Sequence, residues 1–459
     1  METGYYKSKY TLLLEGGLLV NYLTGSMDQL DAEEAADLQK RFASGNWDAY
    51  GQVGYLLERG YLFKDQAEED DWIQRKFLEF QDEYDKTPVQ IIFSPTYSCN
   101  LACVYCFQEE YNNGTGRLTA EVTDAFFRYV DRQFIGEVVK PYITLFGGEP
   151  LMAGDKYQQN LLYFLEQARD GDYEITIVTN GYELSDWLPL IKERNIRIKE
   201  IQVSLDGNPV LHDRRRIKKD GGPTFAKITD GIDQALKMGY RINLRPIVDK
   251  RNMDGLPALA EYCQSRGWLD YPTQQFETTL GRNYELHSCQ NVEALYTRVE
   301  MWQEYAALAK ENPILKKFHF PQFHGMRYLK ENGNLPFPVF DSCPAGKKEW
   351  AYDAGGGIYG CTASVGVEKY RLGNFLTGEI TDAAQVDEWQ SRDVLAMDSC
   401  RDCPVSLSCG GGCGVLAANK SGEILSPDCR PVSELVKIGV EYYGLVENTN
   451  QPKEQVEVP

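Results

Sequence analysis

From Pro88 to Leu280 the sequence keeps one rhythm, a short run of branched and aromatic residues followed by a helical stretch. The runs are VQIIFSP, YITLFGG, EITIVTNG, IKEIQVSLDG, RINLRPIVD and QQFETTL. Between them lie patterns such as TAEVTDAFFRYVDRQF, YQQNLLYFLEQARD, LSDWLPLIKERN, TFAKITDGIDQALKMG and GLPALAEYCQSRG. Strands that return parallel after a helix need right-handed crossovers, so the rhythm predicts a parallel sheet with helices against it. Six units fall short of the eight that close a barrel, and an open, partial (β/α)6 barrel is expected.

The unusual residues sit just after these strands. They are the cysteines of TYSCNLACVYCFQ, then Gly147-Gly148-Glu149-Pro150, Thr179-Asn180-Gly181 and Ser204-Leu205-Asp206-Gly207. In α/β folds that is the carboxyl edge, where ligands bind.

The net charge of −20 over 459 residues is spread along the chain with no basic block. Nucleic acid and anionic membrane surfaces both need positive surface, so neither is expected as a partner. The start, METGYYKSKYTLLLEGG, has no charged region followed by an apolar core, and no run approaches a membrane span. The expected location is the cytoplasm. Thiols stay reduced there, so the 12 cysteines are read as metal ligands rather than disulfides. Their clustering agrees: Cys99, Cys103 and Cys106 lie together, seven more fall between Cys343 and Cys429, and Cys263 and Cys289 stand alone.

A C-x3-C-x2-C spacing supplies three thiolates. They can hold three irons of a cubane cluster and leave one iron for a small molecule, or they can belong to a zinc site completed by a distant residue. No other cysteine lies within a hundred residues, and all four histidines lie beyond position 210.

That spacing after a first strand, with Tyr105 before the last cysteine and GGEP after the second strand, resembles the radical S-adenosylmethionine (SAM) enzymes over roughly Pro88 to Leu280. The resemblance implies that Cys99, Cys103 and Cys106 hold a reducing [4Fe–4S] cluster whose open iron is chelated by SAM. It places Gly147, Gly148 and Glu149 by the methionine amine. Ser204 and Arg216 fall by its carboxylate, and Phe107 by the adenine. His212 reads as a structural cap in HDRRR. No proton acceptor is assignable, although Asp206 and Tyr182 lie at the same edge.

The seven later cysteines form C-x17-C, then C-x2-C-x5-C-x3-C, then a last Cys. Alone, the C-x2-C pair suits a zinc ribbon. The whole pattern is similar to the SPASM extension of radical SAM enzymes, which implies two auxiliary [4Fe–4S] clusters and three in all. By that resemblance Cys400, Cys403, Cys409 and Cys429 ligate an outer cluster, and Cys343, Cys361 and Cys413 an inner one. The inner set lacks a fourth member. Cys289 is the nearest candidate; otherwise an iron is open to a substrate thiolate. Cys263 reads as core.

Residues 1–85 read as a separate unit. A strand pair turns at Gly16-Gly17, a helix starts at Asp31 with Glu34 at capping-box spacing, and a strand returns at YLF. It resembles the winged-helix-like element with which peptide-modifying enzymes grip a leader peptide. The expected divisions are then 1–85, a radical SAM barrel at 86–282, a helical bridge at 283–342, the SPASM domain at 343–447 and a disordered tail at 448–459.

The resemblance implies a ribosomally made precursor peptide as substrate and an external electron donor such as flavodoxin or ferredoxin. The leading expectation is thioether formation from a peptide cysteine. The alternatives are a carbon–carbon crosslinking maturase and an anaerobic sulfatase-maturating, formylglycine-forming enzyme. The last is disfavoured because Thr362 stands where that family has an Asp base. A non-enzymatic iron–sulfur electron carrier ranks last, since it gives GGEP and SLDG no purpose.

Overall fold

The computed structural model describes residues 4–106, 116–283 and 292–445. Its centre is a sheet of ten strands. Six parallel strands follow chain order across it: Gln90–Ser94, Tyr142–Leu145, Ile175–Thr179, Ile198–Val203, Ile242–Leu244 and Phe276–Thr278. Helices Ala120–Gln133, Asp155–Asp170, Leu184–Glu193, Phe225–Lys237 and Leu256–Ser265 connect them. First and sixth strands do not pair, so the open (β/α)6 arrangement predicted from the rhythm is the one observed.

The strands alternate as a sheet packed on one face requires. Ile91, Phe93, Ile143, Leu145, Ile177, Ile201, Val203, Ile242 and Leu244 join one large apolar core with the helices. The intervening residues are largely polar and bond across strands. Gln90 Nε2 donates to Thr144 Oγ1 at 2.8 Å, and Asn243 Nδ2 donates to Glu200 Oε1 at 3.2 Å.

The C-terminal third adds four strands to this sheet. Glu349–Asp353 pairs in parallel with Gln90–Ser94, and an antiparallel meander of Gly357–Tyr359, Gly373–Asn374 and Glu379–Ile380 continues the sheet. The run EWAYD is short, and its partner lies some 260 residues away, so local pattern carried no sign of the pairing. Helices Arg298–Glu311, Ile314–Phe318 and Met326–Asn332 fill the bridge, and Val432–Tyr443 is the closing helix.

The N-terminal unit holds three antiparallel strands rather than two: Thr11–Leu14, Leu18–Asn21 and Ser26–Gln29. The third, SMDQ, is polar enough to read as loop. The expected returning strand is Leu62–Phe63, paired with Tyr6–Lys7. Asp31 caps the helix Ala32–Ser44, with both halves of the capping box formed with Glu34.

The unit does not stand apart in packing. Leu19 faces a core with Leu38, Trp47 and Leu56. Its neighbours Leu18 and Val20 face another, shared with Phe323, Val394, Cys400, Cys409 and Val436. Among the described residues no helix is long and apolar enough to cross a membrane. The tail beyond residue 445 and Cys289 lie outside the described residues.

Asn21 ties this unit together. Its fully buried amide donates to Ser8 Oγ, Thr11 Oγ1 and the Gly60 carbonyl and accepts from the N–H groups of Leu23 and Thr24. Asn21→Ala strands several buried partners at about 1–3 kcal/mol each. The expected result is a fall of about 3 kcal/mol or more in unfolding free energy, read by urea denaturation.

Candidate functional site

Every polar cluster predicted at the carboxyl edge is bound to its neighbours there. The loop after the first strand carries Cys99, Cys103 and Cys106. The loop after the second docks onto it through main chain alone: Gly148 N–H donates to the Thr96 carbonyl and Glu149 N–H to the Ser98 carbonyl, both at 2.9 Å. A side chain at either glycine would break this contact. A Cβ on Gly148 would stand 2.2 Å from the Ser98 oxygen, and one on Gly147, where φ is +129°, 2.5 Å from the Thr96 oxygen. The two glycines therefore serve a close approach of two protein backbones.

Glu149 is buried and joins the second loop to the third. Its carboxylate accepts from Thr179 Oγ1 and Asn180 N–H, both at 2.6 Å, and from Leu151 N–H at 2.8 Å. Burial pushes its carboxyl up to about 7, against the pull of those bonds. Asn180 in turn reaches back to the cysteine loop, donating to Asn100 Oδ1 at 2.7 Å and to Cys99 Sγ at 3.6 Å. The Cys99 sulfur also accepts from Leu101 N–H at 3.4 Å.

A second network closes the far side. The Tyr105 hydroxyl donates to Asp206 Oδ2 at 2.5 Å and accepts from Arg216 Nη1 at 2.6 Å. Asp206, fully buried, also accepts from Ile247 N–H and lies 3.4 Å from Arg215, which grips Asp249 with two bonds of 3.0 Å. Asn283 Nδ2, after the sixth strand, donates to Asp249. One connected set of bonds thus runs from the cysteine loop across to the last barrel strand.

Arg216 pairs in register with Cys103 on a short two-stranded ribbon. Burial lifts the Cys103 thiol to about 12, and the Arg216 charge opposes that rise. The Arg216 Nε is buried and bonded to nothing among the described residues. His212 lies within the helix Pro209–Arg215, whose N-cap is Asn208. The buried imidazole accepts from Asp206 N–H through Nδ1 at 3.2 Å and meets Thr224 Oγ1 at 3.1 Å. Burial lowers its pKa to about 3, so it stays neutral.

Asp206 is committed to its neighbours, and Tyr182 lies under the ammonium groups of Lys218 and Lys227. Ser204 is half-buried just after the fourth strand. Phe107 lies outside the described residues. A link that sequence reasoning missed joins the cysteine loop to the C-terminal strands. Tyr97 and Tyr359 both donate to Asp353 Oδ2, at 3.1 and 3.0 Å.

The later cysteines fall into two electrostatic groups. After burial, the Cys361 thiol is pushed up by Glu349 and by the Cys343 and Cys413 thiols. Burial pushes the Cys343 thiol up, and the main-chain N–H groups of Gly414 and Ala345 pull against that rise. Cys400 is raised to about 11 by burial and then by Cys409, Cys429 and Cys403. Cys429 is raised by burial and then by Cys409 and Cys403. Cys263 is fully buried in the barrel core. Among the described residues no three His, Cys, Asp or Glu side chains gather as a single metal ion would need. A cubane spreads its thiolates around four irons, and buried thiols that accept main-chain N–H bonds fit such a group.

Residues 93–263 match the family model of the radical SAM superfamily. The matched stretch runs from the first barrel strand to the helix before the last barrel strand. The chain is 25% identical over 364 residues to a serine-type anaerobic sulfatase-maturating enzyme of Bacteroides thetaiotaomicron, covering 71% of this chain and 82% of that enzyme. It is 28% identical over 180 residues to a GTP 3′,8-cyclase of Aliarcobacter butzleri, spanning about half (52%) of that protein's length.

Among solved structures, anSMEcpe with bound AdoMet superposes with a TM-score of 0.58 at 18% identity, over 78% of this chain and 94% of that one. Streptococcus suis SuiB bound to S-adenosylmethionine gives 0.52 at 17%, over 93% and 99%. These last two likenesses show the fold alone.

Gly148→Ala tests the docking of the two loops. The new methyl forces the backbone of residues 97–98 to move, and overpacking of this kind costs about 1–3 kcal/mol. Urea unfolding is expected to register that loss, whereas Gly136→Ala, with open space around its Cβ and no positive φ, is expected to lose less.

Proposed function

We propose that the protein is a radical SAM maturase that crosslinks a ribosomally made peptide, forming a thioether from a peptide cysteine. In this reading Cys99, Cys103 and Cys106 hold the SAM cluster. The inner auxiliary cluster belongs to Cys343, Cys361 and Cys413, and the outer one to Cys400, Cys403, Cys409 and Cys429. When bound, the SAM cluster and SAM supply reductive cleavage to methionine and a 5′-deoxyadenosyl radical, which removes a hydrogen atom from a peptide C–H bond.

The chain's own residues then have separate tasks. Gly148 and Glu149 hold the Cys99 loop in place through main-chain bonds. Arg216 keeps positive charge beside Cys103 and has an unbonded Nε–H to offer the SAM carboxylate, with Ser204 at the same edge. The observation that carries the thioether reading is the inner set of three thiols, which leaves a place for a thiolate from outside the chain.

The leader is read as docking on the N-terminal unit. Thr11–Leu14 is an edge strand, and between it and the helix Ala32–Ser44 lies a cavity of about 560 Å³ lined by Leu12, Leu14, Ala35 and Phe42. An extended peptide can add a strand there through main-chain bonds.

The sulfatase-maturating alternative draws on the relatives' likeness over 71% of the chain. Against it, Thr362 stands where that family has an Asp base, and it is spent on the Glu349 carboxylate. Carbon–carbon crosslinking remains a third outcome. The test incubates reconstituted enzyme, SAM and dithionite with cysteine-containing peptides and follows the products by mass spectrometry. Thioether formation predicts 5′-deoxyadenosine and a peptide short of two hydrogens whose cysteine no longer reacts with iodoacetamide. A hydrazine-reactive aldehyde, or a crosslink with the thiol still free, contradicts it.

A further inference from the structure

One glutamate ties together the segments that follow Cys343 and Cys361. Glu349 begins the strand beside the first barrel strand. Its N–H donates to the Pro344 carbonyl at 2.8 Å, and its carbonyl accepts from Gly346 N–H at 2.9 Å. Both partners belong to the turn that follows Cys343. Its side chain reaches the other way, where Oε1 accepts from Thr362 N–H at 2.8 Å and Thr362 Oγ1 at 3.2 Å. Thr362 follows Cys361. The third thiol, Cys413, acts on the same group, since its charge and that of Cys343 both push the Cys361 thiol up.

No cation balances this carboxylate. Among the described residues no Lys, Arg or His forms an ion pair with Glu349, although two lysines precede it. Lys347 is held by Asp341 at 2.8 Å and Lys348 by Glu137 at 2.9 Å. A carboxylate whose charge bears on the buried Cys361 thiol, with only Thr362 for support, is unfavourable in its charged form unless a positive centre stands nearby. Iron at the inner site supplies that centre.

We infer that Glu349 is the fourth protein ligand of the inner auxiliary cluster, and a displaceable one whose place a peptide cysteine takes. The inference rests on reading the C-terminal cysteines as cluster ligands. A carboxylate is a harder and weaker ligand for cluster iron than a thiolate. The exchange breaks one iron–oxygen bond and forms one iron–sulfur bond. The proton of the incoming thiol passes to the departing carboxylate, and no electron moves. Thr362 keeps the released carboxyl beside the site. In the absence of peptide, Glu349 closes the iron to water and stray thiols.

The test titrates reduced, reconstituted full-length protein with cysteamine and follows the electron paramagnetic resonance signal. The SAM cluster is removed by Cys99→Ala, Cys103→Ala and Cys106→Ala in every sample. Wild-type Glu349 predicts a signal that shifts as thiol displaces the carboxylate. Glu349→Gln is expected to shift at roughly a tenth of that thiol concentration or less, equivalent to about 1.4 kcal/mol. Glu349→Cys is expected to resist cysteamine throughout. Equal titration of wild type and Glu349→Gln, with Glu349→Cys still responsive, overturns the assignment. Loss of the auxiliary iron altogether, with zinc in its place, overturns the cluster reading on which it rests, and metal content separates the two failures.

Discussion

Backbone packed on backbone at the carboxyl edge of the sheet sets the rest of the arrangement. Gly147 and Gly148 let the loop after the second strand lie against residues 96–98 with no room for a methyl group. That contact fixes where the Cys99 loop leaves the sheet. Glu149 extends the order to Thr179 and Asn180, and Asn180 returns to Cys99. A flexible loop closes three thiols around a cluster only at the expense of its own conformational entropy. Here much of that ordering is already made by main-chain bonds.

The remaining layers follow from the two faces of the barrel sheet. Branched residues on one face seal it against the helices, and the other face carries cross-strand polar pairs. The C-terminal strand Glu349–Asp353 extends the same sheet beside its first strand, and Cys343 and Cys361, which lie before and after it in the chain, share the barrel core. The outer thiols Cys400 and Cys409 share their apolar core with the N-terminal strands. The segment read as a leader grip and the segment read as an outer cluster carrier are packed as one body.

Legibility in the sequence tracked the range of the interactions. The six barrel strands and their helices were readable because period and side-chain branching are local properties. So was the capping box of Asp31 and Glu34, which spans three residues. SMDQ was missed as a strand because its pairing, not its composition, makes it one. EWAYD was missed because its partner is distant. Residue types at the site were legible, but their partners were not. Glu149 is spent on Thr179 and Asn180, and Arg216 on Tyr105. The connection of Glu349 to the residues after Cys343 and Cys361, and the meeting of Tyr97 with Tyr359 at Asp353, depend on the added strand and leave no mark in local pattern.

The most direct test of the account is the iron, sulfide and zinc content of protein reconstituted without oxygen, compared with three variants that each replace one cysteine set by alanine. Three independent clusters predict about twelve irons per chain and a loss of about four in each variant. About four irons in total, lost only when Cys99, Cys103 and Cys106 are replaced, with zinc held by the later cysteines, would contradict it.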